Sequence, residues 1–168
     1  MSTLVITGSA RQASLTRALG AAIAAAAEDG VLAPRLTSLP YYDQDRDGAP
    51  PASVVRFRQQ VADADLLVVV TPEYNGTVPG LLGNAIDWLS RPQGALAGKR
   101  VMAVAASPGA RGGVRALTGL RTVLGNLGVE LVGPGVLVPE VEARLAAGDL
   151  EDLIDQALGA QRRQAAAA

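Results

Sequence analysis

Apolar runs and helical stripes alternate along the whole 168-residue chain. Leu4-Val5-Ile6, closed by Gly8, is a short apolar run that reads as a buried strand. Ser14 then stands as an N-cap before Leu15, Leu19, Ala22, Ile23 and Ala26, which recur at helical spacing. Gly30 is read as the stop of that helix. Val31 to Leu39 has the pattern of a second strand, and Pro34 inside it confines that strand to a sheet edge. Tyr41 to Pro51 is a polar loop, followed by a helix with Val54, Val55 and Arg58 that ends near Ala64. The run Asp65 to Thr71 is apolar on both faces from Leu66 to Val70, as a central parallel strand must be. Loop 72–80 leads to a short helix, Leu81 to Leu89, and Arg100 to Ala106 forms the next strand. A Gly-rich loop precedes a helix from about Val114 to Leu127, ended by Gly128. Val129 to Leu137 supplies a last strand, broken by Gly133-Pro134-Gly135. Asp149 is expected to cap a terminal helix to about Arg162, with an Ala-rich tail that frays from about residue 163.

Five strands alternating with helices, without a repeat or a dividing linker, predict one α/β domain over residues 1–168. An edge second strand and a fully apolar third strand fit a parallel sheet of order 2-1-3-4-5, the flavodoxin-like three-layer sandwich. In such a sheet, ligands sit beyond the carboxyl ends of the strands, near the switch point between strands 1 and 3. Three loops fall there: Gly8 to Ser14, Pro72 to Pro79 and Ser107 to Gly113.

The first joins a strand to a helix N-terminus, where free amides and the helix dipole favour an anion. Ser9, Ser14 and Thr16 add hydroxyls, and Arg11 adds a fork suited to phosphate. No G-x-G-x-x-G is present, so the anion is one terminal phosphate, as on a mononucleotide, and not a dinucleotide bridge. The second loop, Pro72-Glu73-Tyr74-Asn75-Gly76-Thr77-Val78-Pro79-Gly80, holds irregular backbone close to whatever lies above it. The third, Ser107-Pro108-Gly109-Ala110-Arg111-Gly112-Gly113, removes side chains where a planar ligand can lie against backbone. Taken singly, each loop also reads as an ordinary turn; their joint placement is the signal.

Composition narrows the chemistry. The chain has no Cys and no His. That excludes disulfides, Cys/His zinc sites, thiol catalysis and any triad that needs an imidazole base. Fifteen basic residues balance sixteen acidic ones, a net charge of −1, so duplex nucleic acid is not an expected partner. With three Tyr, one Trp and one Phe, there is no base-stacking platform either. No apolar stretch approaches ~18 residues, so no membrane span is expected. Met1-Ser2-Thr3 lacks a basic leader region, and the cytoplasm is the expected location.

Gly8-Ser9-Ala10-Arg11-x-x-Ser14, the block Pro72 to Gly80, and Asn84-Ala85-Ile86-Asp87-Trp88 together resemble the NADPH-dependent FMN reductase family. Gly112-Gly113-x-Arg115-Ala116 with Leu120-Arg121 adds a fourth matching stretch, and the resemblance spans roughly residues 3 to 138. It implies a flavodoxin-like fold, bound FMN, NADPH or NADH as co-substrate, and a quinone, flavin or similar small molecule as electron acceptor. The chemistry then belongs to the flavin, and no catalytic side chain is required, which agrees with the missing His and Cys. The resemblance implies that Ser9, Arg11, Ser14 and Thr16 hold the FMN phosphate. Pro72, Glu73, Tyr74, Asn75 and Gly76 would border the ring and ribityl chain, and Ser107, Gly109 and Gly112 would approach the ring from the third loop. It also implies a homodimer or homotetramer, with helix 81–89 and Trp88 near the interface; burial of Trp88 against its own sheet is the competing reading. Two positions depart from the family pattern. Thr16 replaces a common Asn and keeps a donor, while Gly83 replaces a usual Lys and weakens its helix by about 1 kcal/mol relative to Ala.

The alternative is a non-enzymatic flavodoxin-like electron carrier. Shuttles of that kind tend to be strongly acidic, which a charge of −1 disfavours. Three decoys are set aside. Gly94 to Lys99 lacks the length, the Ser/Thr and the following helix of a P-loop. Asp43-x-Asp45-x-Asp47-Gly48 opens like a calcium loop, but Val54 stands where a bidentate Glu is needed. Glu140 and Glu142 read as solvated charges and not as an acid–base pair.

Overall fold

The computed structural model describes residues 1–91 and 94–165, with side chains through residue 159. The strands are β1 (Ser2–Thr7), β2 (Asp29–Leu32), β3 (Leu66–Pro72), β4 (Arg100–Ala106), β5 (Glu130–Leu131) and β6 (Val136–Val138). The helices are α1 (Leu15–Ala26), α2 (Ala52–Asp63), α3 (Gly80–Ser90), α4 (Val114–Asn126), α5 (Val141–Ala147) and α6 (Glu151–Ala165). All strand pairs are parallel, in the order β2-β1-β3-β4-β5, with β6 also on β4. The expected order therefore holds, with six strands in place of five. Gly133-Pro134-Gly135 splits the last strand into β5 and β6, which pair with the two ends of β4.

Side chains of the central strands alternate between two cores, as the pleat dictates. Leu4, Ile6, Leu67, Val69, Val101 and Ala103 face α2, α3 and α4, meeting Val54, Phe57, Leu82, Trp88, Leu120 and Leu124. Val5, Leu66, Val68, Val70, Met102 and Val104 face the other layer, meeting Leu19 and Ile23 of α1 and Leu153, Ala157 and Leu158 of α6. With both faces covered, β3 is buried at every position, which is why its sequence shows no alternation.

Three local expectations change. The second strand is Asp29–Leu32, not Val31 to Leu39; it ends before Pro34, and Leu36–Ser38 forms a 3₁₀ turn. Its edge position holds. Gly30 lies inside that strand and does not stop α1, which ends at Ala26 with Ala27 extended. Glycine is needed there because a Cβ would overlap the Ala24 carbonyl oxygen. Asp149 pairs with Arg144 at 3.7 Å, and α6 begins two residues later and runs through Ala165. The expected fraying of the tail falls partly on residues 166–168, which lie outside the described residues.

Candidate cofactor site

Ser14 builds the first wall. Its hydroxyl accepts the Arg17 amide at 3.1 Å, capping α1 as its sequence position predicts, and lies 3.0 Å from the Thr16 hydroxyl. Ser9 Oγ accepts the Arg11 amide at 3.3 Å. Ser9, Ser14 and Thr16 are 5%, 7% and 3% exposed, so three hydroxyls are buried where a helix begins. They line a cavity of about 110 Å³ with Arg11, Leu15, Pro72, Tyr74, Ala106, Pro108 and Val141. Among the described residues no carboxylate lines it. A set of hydroxyl donors, one guanidinium and a helix N-terminus, without a negative charge, matches a phosphate.

The cavity is smaller than the roughly 300 Å³ at which pockets for whole small molecules begin. Its volume is of the size of a phosphate group and leaves no room inside for a flat ring. The second loop, after β3, is a tight hairpin. Tyr74 and Thr77 exchange amide-to-carbonyl bonds of 3.1 and 3.0 Å, and Asn75 and Gly76 both have positive φ, 53° and 74°. That is the Asn-Gly type I′ turn, in which both central residues take left-handed backbone. The hairpin carries the Tyr74 ring out at 46% exposure, with its hydroxyl 3.2 Å from Ser9 Oγ. Tyr74 thus meets the cavity at its hydroxyl end.

Glu73 is differently engaged. Its Oε2 accepts the amides of Arg115 at 2.9 Å and Ala116 at 3.2 Å, so the side chain caps the N-terminus of α4. One of its two carboxylate oxygens is thereby committed to α4. Ser107 is likewise turned into its own loop, where its hydroxyl accepts the Gly109 amide at 3.1 Å. Gly112 takes φ +60°, and a Cβ there would press on the backbone of Val138 and Pro139 at 3.0–3.1 Å; Gly109 has open space apart from the Ser107 hydroxyl. Of the twelve residues singled out from sequence, Ser9, Arg11, Ser14, Thr16, Pro72 and Tyr74 line one cavity. Asn75 and Gly76 form the adjoining turn, and Glu73, Ser107, Gly109 and Gly112 brace or border the loops. Leu15, Ala106, Pro108 and Val141 also line the cavity; as isolated apolar residues they carried no signal in the sequence.

The other half of the conspicuous motif does something else. Trp88 is fully buried; its Nε1 donates to the Pro40 carbonyl at 2.9 Å, and its ring meets Tyr42 edge-on at 5.0 Å. Asn84, one turn earlier, donates to the same Pro40 carbonyl at 3.0 Å and accepts the Tyr42 amide at 2.7 Å. Together they staple loop 40–42 onto α3, so the reading of Trp88 as packed inside its own chain is the correct one. Around the position of Gly83 nothing lies within 4 Å of a built Cβ. Lys99 donates to the carbonyls of Ala62 and Ala64 at the end of α2, favourable for a cation at a helix C-terminus. Glu140 and Glu142 are exposed. Among the described residues, no group of three or more His, Cys, Asp or Glu is placed to hold a metal, and no helix is long and apolar enough to cross a membrane.

A parallel sheet of this order, with an anion cradle and a glycine-bearing turn at its carboxyl edge, defines a flavodoxin-like mononucleotide-binding domain. The chain belongs to the NADPH-dependent FMN reductase family, whose profile matches residues 1–143. It is therefore an oxidoreductase that takes FMN as cofactor and NAD(P)H as co-substrate. It is 38% identical over 154 residues to a 2-hydroxy-1,4-benzoquinone reductase of Burkholderia sp, covering 85% of this chain and 81% of that protein. It is also 38% identical over 156 residues to a quinone reductase of Pseudomonas putida strain KT2440, covering 90% and 82%. Among solved structures, the flavoenzyme NAD(P)H:(acceptor) oxidoreductase FerB from Paracoccus denitrificans superposes with a TM-score of 0.73 at 28% identity, covering 92% of this chain and 96% of that one.

Proposed function

We propose that this chain reduces quinones with electrons from NAD(P)H, acting as one cytoplasmic FMN-binding unit in a homodimer or homotetramer. The observation that carries the reading is the cavity of buried hydroxyls at the start of α1, set beside the 74–77 hairpin. The quinone class is supported by the relatives whose names record that acceptor.

FMN held here would supply the redox chemistry between NAD(P)H and the acceptor. The chain's residues bind and orient. Ser9 and one hydroxyl of the hydrogen-bonded Ser14–Thr16 pair would donate hydrogen bonds to the phosphate, the other hydroxyl of that pair orienting its partner, and Arg11, exposed at the rim, would add a charge-assisted bond. Ser14 serves twice, since its oxygen also caps α1. Pro72, Glu73, Tyr74, Asn75 and Gly76 present backbone to the ring edge, held in shape by the turn and by the Glu73 bonds to α4. Ser107, Gly109 and Gly112 would border the ring from the third loop, where the glycines put no side chain in its way. No side chain moves a proton in this scheme.

The purified protein is expected to be yellow, to bleach on mixing with NADPH or NADH, and to regain its absorbance when a quinone is added. A yellow protein that nicotinamide nucleotides do not reduce would instead be an electron carrier. A colourless protein that ignores added FMN would overturn both readings. Gel filtration at the monomer mass would remove the oligomer.

A further inference from the structure

Arg35 lies after β2, outside every motif in the sequence, and it grips the phosphate loop. Its Nη1 donates to the Arg11 carbonyl at 3.1 Å and its Nη2 to the Gln12 carbonyl at 3.3 Å. In a planar trans peptide the carbonyl and the following amide point in opposite directions. Fixing those two carbonyls on Arg35 therefore turns the Gln12 and Ala13 amides away from it. Among the described residues neither amide donates to a protein acceptor, so both are left available to a ligand.

Arg35 does not line the cavity of buried hydroxyls. It lines a separate cavity of about 190 Å³ between the β2–α2 connection and α2, with Leu36, Ser53, Arg56 and Phe57, and so holds the loop from outside. Behind the loop stands a second guanidinium. Arg17 donates to the Ala33 carbonyl at 3.2 Å and to the Thr7 hydroxyl at 3.4 Å. Its pKa is held below the ordinary arginine value by burial and by the charge of Arg35. Among the described residues no carboxylate pairs with Arg11, Arg17 or Arg35. Three cations thus stand at or behind a loop whose free amides are themselves donors, a field that favours an anion.

We propose that Arg35 is the positioning residue of the phosphate loop and sets the chain's preference for a phosphorylated flavin over an unphosphorylated one. It touches neither cofactor nor substrate. It acts through the two peptide planes it fixes and through the positive field it shares with Arg17. The proposal rests on the FMN reading above and adds to it a determinant of which flavin is selected.

The test compares FMN with riboflavin, which has the same ring and lacks the phosphate. Dissociation constants for both are measured on the wild type, Arg35→Ala and Arg35→Lys by quenching of flavin fluorescence, with the unfolding midpoint of each protein recorded. Arg35→Ala is expected to weaken FMN binding by about tenfold or more, as the loss of charged hydrogen bonds implies, and to leave riboflavin binding within about twofold. Arg35→Lys is expected to recover part of the loss, since one ammonium can reach two carbonyls, as Lys99 does at the end of α2. Equal losses for FMN and riboflavin, or no loss for FMN, would overturn the proposal while leaving the FMN reading intact. A wild type that binds neither flavin would overturn the FMN reading itself. Should Arg35→Ala fail to fold, Arg35→Gln provides the same comparison, because it is too short and uncharged to clasp both carbonyls.

Discussion

The segments 72–77 and 84–88 stand within one short stretch of sequence and look equally conspicuous, yet they meet opposite physical conditions. In 84–88 the polar atoms that matter are satisfied internally. Trp88 Nε1, both ends of the Asn84 amide, the Pro40 carbonyl and the Tyr42 amide all find partners, and the Trp88 ring is fully buried. In 72–77 the backbone of the hairpin closes two bonds between Tyr74 and Thr77, Glu73 is anchored on α4, and an exposed Tyr74 is carried toward a cavity of hydroxyls. A group whose hydrogen bonds close within the chain is there to hold shape. A segment that leaves donors and an aromatic edge facing outward has capacity left for a ligand. Conspicuousness in sequence does not tell these apart; the hydrogen-bond accounting does.

Three substitutions sharpen or break that contrast. The largest effect is expected from Trp88→Ala, which empties a fully buried site and should cost ~3–5 kcal/mol of stability, read from urea unfolding. FMN affinity of the molecules that remain folded should hardly change. A large loss of affinity at unchanged stability would instead put Trp88 in the binding machinery.

Arg11→Ala is the mirror case. Its side chain is exposed and makes no bond within the chain among the described residues, so stability should stay within about 0.5 kcal/mol. FMN binding should weaken by ~1.5–3 kcal/mol, the range for a hydrogen bond to a charged group, as measured by calorimetric titration. Unchanged FMN retention would remove Arg11 from the cradle.

The smallest effect is expected at Glu73, the one member of 72–77 whose side chain behaves like those of 84–88. Glu73→Ala removes the acceptor for two first-turn amides of α4 and should cost about 0.5–2 kcal/mol in stability. Because its proposed contribution to a ligand is through backbone, FMN affinity should fall only as far as the loop loosens. Comparing unfolding midpoints with FMN titrations for the same variant separates the two. A loss of affinity larger than the loss of stability would show that the carboxylate itself faces the cofactor.

Much of this was legible in order of residues alone. The double-sided apolar run 66–70 determined that β3 is central, because a parallel strand covered on both faces tolerates no polar side. Ser14 determined where α1 starts, and Asn75-Gly76 is the dipeptide that a type I′ turn selects. Sequence and fold together placed the three ligand loops, since the sheet order puts every strand's carboxyl end on one side. The missing His and Cys left carboxylates, hydroxyls, backbone amides or a borrowed cofactor to do the chemistry, and the family membership selects the cofactor.

Other features depended on neighbours distant in sequence. Gly30 has the look of a helix stop, and only the approach of the Ala24 carbonyl shows it to be a strand residue with no room for a Cβ. Glu73 carries the same side chain whether it faces a ring or caps a helix 42 residues away, and only packing decides between them. Trp88 had two open readings until loop 40–42 closed over it. Arg35 is one arginine among many in the sequence; its grip on the Arg11 and Gln12 carbonyls exists because β2 ends beside the phosphate loop. The sequence determined which residues can cap, turn or bind. Tertiary structure decided which of them had their hydrogen bonds already taken, because that depends on what the fold brings within about 3 Å.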